Sequence, residues 1–257
     1  MSQDRAALVA RLEAGGFVAA DEEADELLAC AAGEPERLEE LLARRFTGEP
    51  LAWIRGSITF CGVDVRVDHG VYVPRWQSEQ LALRAAERLP PSGGTAVDLC
   101  TGTGAIAAVL SARRPQARVV ATEVDERAVA CARTNGIEVF EGDLLDPLPH
   151  TLEGQVDVIV GVVPYVPTPE LGLLQRDTFT FETALSYDGG DDGTTHLRRT
   201  VAGAPRFLRP GGALLLELGA GQPERLQEDL AGHGFADVAV LLDEDGDIRG
   251  IEATRGA

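Results

Sequence analysis

From residue 1 to about 48 the apolar residues recur three and four positions apart: Leu8, Leu12, Ala24, Leu27, Leu28, Leu38, Leu41 and Leu42, interrupted by Gly15-Gly16 and Gly33. That spacing puts them on one side of a helix and predicts three short amphipathic helices. Between Trp53 and Val73 the period shortens to two in Ile-Thr-Phe-Cys-Gly-Val-Asp-Val-Arg-Val, and Gly56, Gly62 and Gly70 break the run, which predicts a β-hairpin. Beyond that point helical and strand rhythms alternate. Helices are expected at about 77–89, 105–114, 126–134, 194–208 and 222–232. Strands are expected at 96–99, 119–123, 137–140, 156–160 and 213–218, with a final pair at about 237–242 and 248–254. Apolar strands separated by helices imply a parallel sheet covered on both faces. The expectation is a doubly wound α/β fold: an N-terminal helical domain over 1–50, a β-hairpin linker over 51–76 and a main domain over 77–257.

Composition narrows the function. With 257 residues, 44% hydrophobic and 25% charged, the chain has the profile of a soluble globular protein. Its charge is unusual: 23 basic residues against 42 acidic ones give −19. A surface so acidic repels phosphate backbones and anionic lipid, which argues against nucleic acid and membrane as partners. All the basic residues are arginine, so chemistry that needs a Schiff-base or P-loop lysine is excluded. Cys30, Cys61, Cys100 and Cys131 form no CxxC, and His69, His150, His196 and His233 are scattered, so no metal centre is expected. No signal-peptide core or membrane span is visible, and the thiols read as reduced; the expected compartment is the cytoplasm.

The strongest constellation is Val97-Asp98-Leu99-Cys100-Thr101-Gly102-Thr103-Gly104-Ala105, a strand that runs through a glycine turn into a helix. Ligands of open α/β sheets bind at the carboxyl ends of strands, where glycines let the backbone turn tightly and approach closely. Glu123 ends the next strand, where a carboxylate can accept hydrogen bonds from ribose hydroxyls, and Asp143 ends the one after, where it can meet an adenine amino group. Val124 and Leu144, which follow these acids, are further candidates for cofactor contact. The third glycine of a phosphate-gripping loop is missing and Asp98 sits beside the turn, so an anion would be repelled. The cationic amino and sulfonium groups of S-adenosylmethionine would not be.

Together with Pro164-Tyr165 at a later strand end, these residues resemble class I S-adenosylmethionine-dependent methyltransferases, with their Rossmann-like sheet. More narrowly, the chain resembles the HemK/PrmC family of protein-(glutamine-N5) methyltransferases, which act on the glutamine of the GGQ loop of peptide release factors. Gly48 to Ile54 is similar to the family's domain-joining segment, and Val73 to Glu79 to its proline-arginine segment. Phe181-Glu182, Ala184-Leu185 and Gly189 to Gly193 are similar to the loop after the active-site motif, and Pro210-Gly211-Gly212 to a late helix-strand junction. By this resemblance the N-terminal helices would recognise substrate.

The site itself departs from the family. Where its members have Asn-Pro-Pro-Tyr, this chain has Val162-Val163-Pro164-Tyr165. The family's asparagine accepts a hydrogen bond from the substrate amide; Val162 has no acceptor in its side chain, and a lost buried partner costs about 1–3 kcal/mol. That points to an apolar or aromatic small-molecule acceptor, of the kind found in secondary metabolism, as the main reading. Protein glutamine methylation, nucleic-acid amino methylation and a non-catalytic S-adenosylmethionine-binding protein stay as alternatives. Methyl transfer needs alignment more than a strong base. Candidates on the acceptor side are Val162, Pro164, Tyr165 (a stacking ring or a core aromatic), Glu182 and His196 (a general base or a surface residue). Arg75 reads either as a partner for a ligand carboxylate or as a surface ion pair, and Cys100 as a packing residue tolerated where glycine is commoner provided φ stays negative. Nothing in the sequence fixes the oligomeric state.

Overall fold

The structure, a computed structural model, describes residues 2–174 and 178–257. Two compact units emerge, Met1–Ile58 and Thr59–Ala257. In the first, α1 (Ser2–Ala14), α2 (Ala20–Ala31) and α3 (Pro35–Phe46) follow the apolar spacing, and Leu8, Leu12, Ala24, Leu27, Leu41 and Leu42 are buried together. Pro35 opens α3, where its fixed φ suits the first turn and its missing N–H is not needed. On the polar side, Arg45 donates to Glu23 at 2.7 Å and lies 4.1 Å from the centre of the Phe17 ring, which it covers as a cation. A fourth, single-turn helix, α4 (Leu51–Arg55), starts after Pro50 and adds Ile54 to this core. Three helices were expected; α4 is too short for its period to register.

The hairpin consists of β1 (Ser57–Phe60) and β2 (Val63–Arg66). After α5 (Glu79–Arg88) the alternation becomes regular: β3 (Gly94–Leu99), α6 (Ala105–Arg113), β4 (Ala117–Glu123), α7 (Glu126–Thr134), β5 (Glu138–Glu141) and β6 (Val156–Gly161). Then come α8 (Thr178–Phe181), α9 (Thr195–Phe207), β7 (Leu208–Glu217), α10 (Gln222–Gly232), β8 (Phe235–Leu242) and β9 (Ile248–Arg255). The seven-stranded sheet has the order β5-β4-β3-β6-β7-β9-β8. Its first five strands are parallel, and β9 lies antiparallel to both neighbours. All six residues of β6 are buried, and all but Asp157, whose carboxylate accepts from Thr95 N and Arg209, are apolar or glycine. On one side Leu99, Ile159 and Leu214 pack with Leu197 and Phe207 of α9 and Leu226 of α10. A separate cluster joins Ala107 and Val129 to Ala121 and Val139.

The chain leaves β3 for β4 and β5 on one side, then returns to β6 on the other. The order therefore reverses between β3 and β6, whose ends meet at the Leu99–Gly161 pair, and a crevice opens there at the carboxyl ends. One boundary differs from expectation. The helix expected to reach 208 ends at Phe207, with Pro205 inside it, and β7 begins at once and carries Pro210-Gly211-Gly212 within the strand. The β6–β7 register shifts between Val156 and Val158, which gives those residues room. Among the described residues no helix is long and apolar enough to cross a membrane.

Gly104 joins the β3 turn to α6 at φ +83, and a Cβ there would lie 2.8 Å from Ile137 Cγ1. Left-handed backbone and a crowded neighbour act in the same direction, so Gly104→Ala should destabilise the protein by about 2–4 kcal/mol. Thermal unfolding should show the midpoint falling by several degrees; an unchanged midpoint would contradict the packing at this turn.

Candidate active site

The turn after β3 is closed by its own acid. Asp98 is 1% exposed, and its Oδ2 accepts from the Thr101 hydroxyl and, at 3.1 Å, from the Ala107 amide in the first turn of α6. Its Oδ1 is buried without a partner among the described residues. Burial pushes the carboxyl up to about 7, against the opposing pull of the Thr101 and Ala107 hydrogen bonds. At the end of β4, Glu123 Oε2 accepts from Gly102 N at 2.9 Å, while Oε1 accepts from Val124 N at 2.8 Å and Asp125 N at 3.0 Å. The Glu123 carbonyl in turn accepts from Gly142 N at 2.8 Å, so three successive strand ends are tied by backbone donors.

A cavity of about 250 Å3 opens over these ends. Of the residues expected to bind a cofactor, all but Gly104 line it: Asp98, Cys100, Thr101 and Gly102 from the β3 turn, Glu123 with Val124, and Asp143 with Leu144. Gly104 instead serves the turn itself. Val162, Pro164 and His196 line the same cavity, with His196 in the first turn of α9. A buried acid with an unpaired oxygen, beside two more carboxylates, fits a cationic ligand such as S-adenosylmethionine.

Several expectations need correction. Cys100 adopts φ +53, the left-handed region that its tolerance was thought to avoid, so this residue holds strain of about 1–2 kcal/mol. Burial raises its thiol well above the ordinary value, with Glu123, Asp98 and Asp143 adding to the effect, which keeps the thiol neutral. Asp143 is not a free carboxylate, because Arg199 of α9 donates to its Oδ2 at 2.7 Å. Tyr165 does not line the cavity. Its hydroxyl donates to Glu217 Oε1 at 3.0 Å and its ring packs against the core. Glu182 also lies outside the lining, where its carboxylate accepts from Val73 N, Arg75 and the Tyr187 hydroxyl. Arg75 is thus committed to a partly buried ion pair with Glu182.

Sequence reasoning did not find Tyr72 and Ser186, which also line the cavity, or the partnership of Arg199 with Asp143; Leu185, named only as part of a family-like loop, lines it too. Tyr72 precedes the proline-arginine segment, and its distance along the chain from the β3 turn left no local signal.

The model of the methyltransferase small domain family matches residues 78–165, which span the β3 turn, both later strand-end acids and the Val162–Tyr165 segment. The release factor glutamine methyltransferase of Geobacter sulfurreducens is 36% identical over 228 residues, covering 86% of this chain and 76% of the relative. That of Cereibacter sphaeroides is 35% identical over 272 residues, covering 96% and 95%. The solved Mtq2–Trm112 complex of E. cuniculi shares the fold, with a TM-score of 0.54 at 24% identity over 73% of this chain and 99% of that one. These matches overturn the expectation of a small-molecule acceptor, which weighed the single side chain at Val162 above the rest of the chain. The protein is an S-adenosylmethionine-dependent methyltransferase. Identity of this order along nearly the whole length of both chains means that it belongs to the release factor glutamine methyltransferases, the HemK/PrmC-like family.

Proposed function

We propose that the protein methylates the side-chain amide nitrogen of the GGQ glutamine of a peptide release factor. The observation that carries this is the identity to release factor glutamine methyltransferases over as much as 96% of the chain. S-adenosylmethionine supplies a methyl group made electrophilic by its sulfonium. Asp98, Glu123 and Asp143 are the proposed holders of the cofactor, with Cys100, Thr101, Gly102, Val124 and Leu144 forming its walls. An amide nitrogen is a poor nucleophile because its lone pair is delocalised, so the protein's task is to fix the amide plane and exclude water.

In this reading Val162 and Pro164 form the acceptor end, and the backbone carbonyls of 162 and 163 accept from the amide N–H in place of the missing asparagine. Transfer would form the carbon–nitrogen bond as the methyl–sulfur bond breaks and leaves a neutral thioether, and the nitrogen must then lose a proton; His196, which lines the same cavity, is proposed to take it. The helical unit Met1–Ile58, with its own apolar core, is proposed to grip the release factor outside the GGQ loop. The reading implies the cytoplasm as compartment, and four free cysteines support that.

Incubation with release factor and S-adenosylmethionine, followed by the mass of the GGQ peptide, should show one added methyl on glutamine; an unmodified peptide would overturn the proposal. Val162→Asn restores a side-chain acceptor and should raise kcat/KM by roughly 5- to 150-fold, the equivalent of about 1–3 kcal/mol. A short GGQ peptide, which bypasses the helical unit, should show a higher KM than intact release factor.

The buried acid gives a pH dependence. A cationic ligand favours ionised Asp98, and protonation below about 7 removes that attraction. Affinity for S-adenosylmethionine, measured by titration calorimetry, should therefore fall toward acid, by up to about tenfold per unit below that value. Asp98→Asn should bind more weakly and lose this dependence.

A further inference from the structure

Glu182 lies outside the cavity, yet it joins two of its walls. One wall is the strap that carries Tyr72, Pro74 and Arg75; the other is the turn Ala184–Ser186, which contributes Leu185 and Ser186. Glu182 is 5% exposed and stands two residues before that turn. Its Oε1 accepts from Val73 N at 2.9 Å, and its Oε2 accepts from Arg75 at 2.5 Å and from the Tyr187 hydroxyl. The aromatic partners reinforce the joint: Tyr72 and Tyr187 meet edge to face at 5.5 Å, and the Arg75 guanidinium lies 4.9 Å from the Tyr72 ring centre. The backbone continues the connection, because Val166 N donates to the Tyr187 carbonyl at 2.9 Å just after the Val162–Tyr165 segment.

We infer that Glu182 is a positioning residue: its carboxylate latches the strap to the Ala184–Ser186 turn and so fixes Leu185 and Ser186 in the cavity that Val162 also lines, where the acceptor is proposed to bind. The inference rests on the proposed acceptor site. A carboxylate this deeply buried is costly unless several donors converge on it, and here three do, from both walls. The residues proposed for the cofactor have their own ties, Asp98 to Thr101 and Ala107, and Glu123 to Gly102. Glu182 bonds to none of these, so the loss of its carboxylate should fall on the acceptor and spare the cofactor.

Glu182→Gln preserves shape but sets an amide against Arg75. The KM for release factor should rise by roughly tenfold or more, while kcat and the Kd of S-adenosylhomocysteine stay within about threefold. Tyr187→Phe should act in the same direction more weakly, and the double variant should lose less than the sum of the two. Without any acceptor, hydrogen exchange over 71–75 and 183–188 should speed up in Glu182→Gln and, to a smaller extent, in Tyr187→Phe. Unchanged exchange in these segments overturns the latch, as does a KM effect matched by an equal loss of cofactor affinity. If the wild-type protein leaves release factor unmodified, the acceptor reading fails, and the exchange measurement still decides the latch. Should Glu182→Gln not fold, Tyr187→Phe carries the same exchange and KM comparison.

Discussion

The Glu123 carboxylate answers three backbone N–H groups, from Gly102, Val124 and Asp125, and through them the ends of β3 and β4 become one surface. Hydrogen bonds to a charged acceptor contribute about 1.5–3 kcal/mol each, enough to hold a glycine turn that has little conformational preference of its own. Asp98 does similar work one strand away, at the expense of an unpaired buried oxygen. A floor of carboxyl groups is thereby fixed before any ligand arrives.

The sheet was legible because its strands are buried on both faces. Val156 to Gly161 reads as a short, β-branched and mostly apolar segment broken only by Asp157, which suits a strand covered on both faces. The β3 turn and the two acids beyond it were legible for the same reason: strand ends recur at predictable places, and their chemistry is local. What escaped was long-range or conformational. The Arg75–Glu182 pair spans 107 residues, and the Tyr165–Glu217 bond 52, so neither side chain announces its partner in the sequence. The positive φ of Cys100 could not be read at all, because residue identity there argues against the conformation that is present.

The acceptor shows how far a single side chain should be trusted. Val162 removes one side-chain hydrogen-bond acceptor, a loss of about 1–3 kcal/mol that is large for a rate and small for an identity. Against it stand the helical unit, the strap, the turn and the sheet, all of which align with release factor glutamine methyltransferases. Backbone carbonyls at a strand end remain whatever the side chain, so an amide site can persist in weakened form after its most visible residue has gone.

One consequence concerns α9. Arg199, which holds Asp143, and His196, which lines the cavity, are three residues apart on this helix, a separation of about 4.5 Å along its axis. They share one turn. One turn of helix therefore carries both the arginine that pairs with a cavity-lining carboxylate and an imidazole of the lining itself, so α9 is tied to the cavity at two points rather than one.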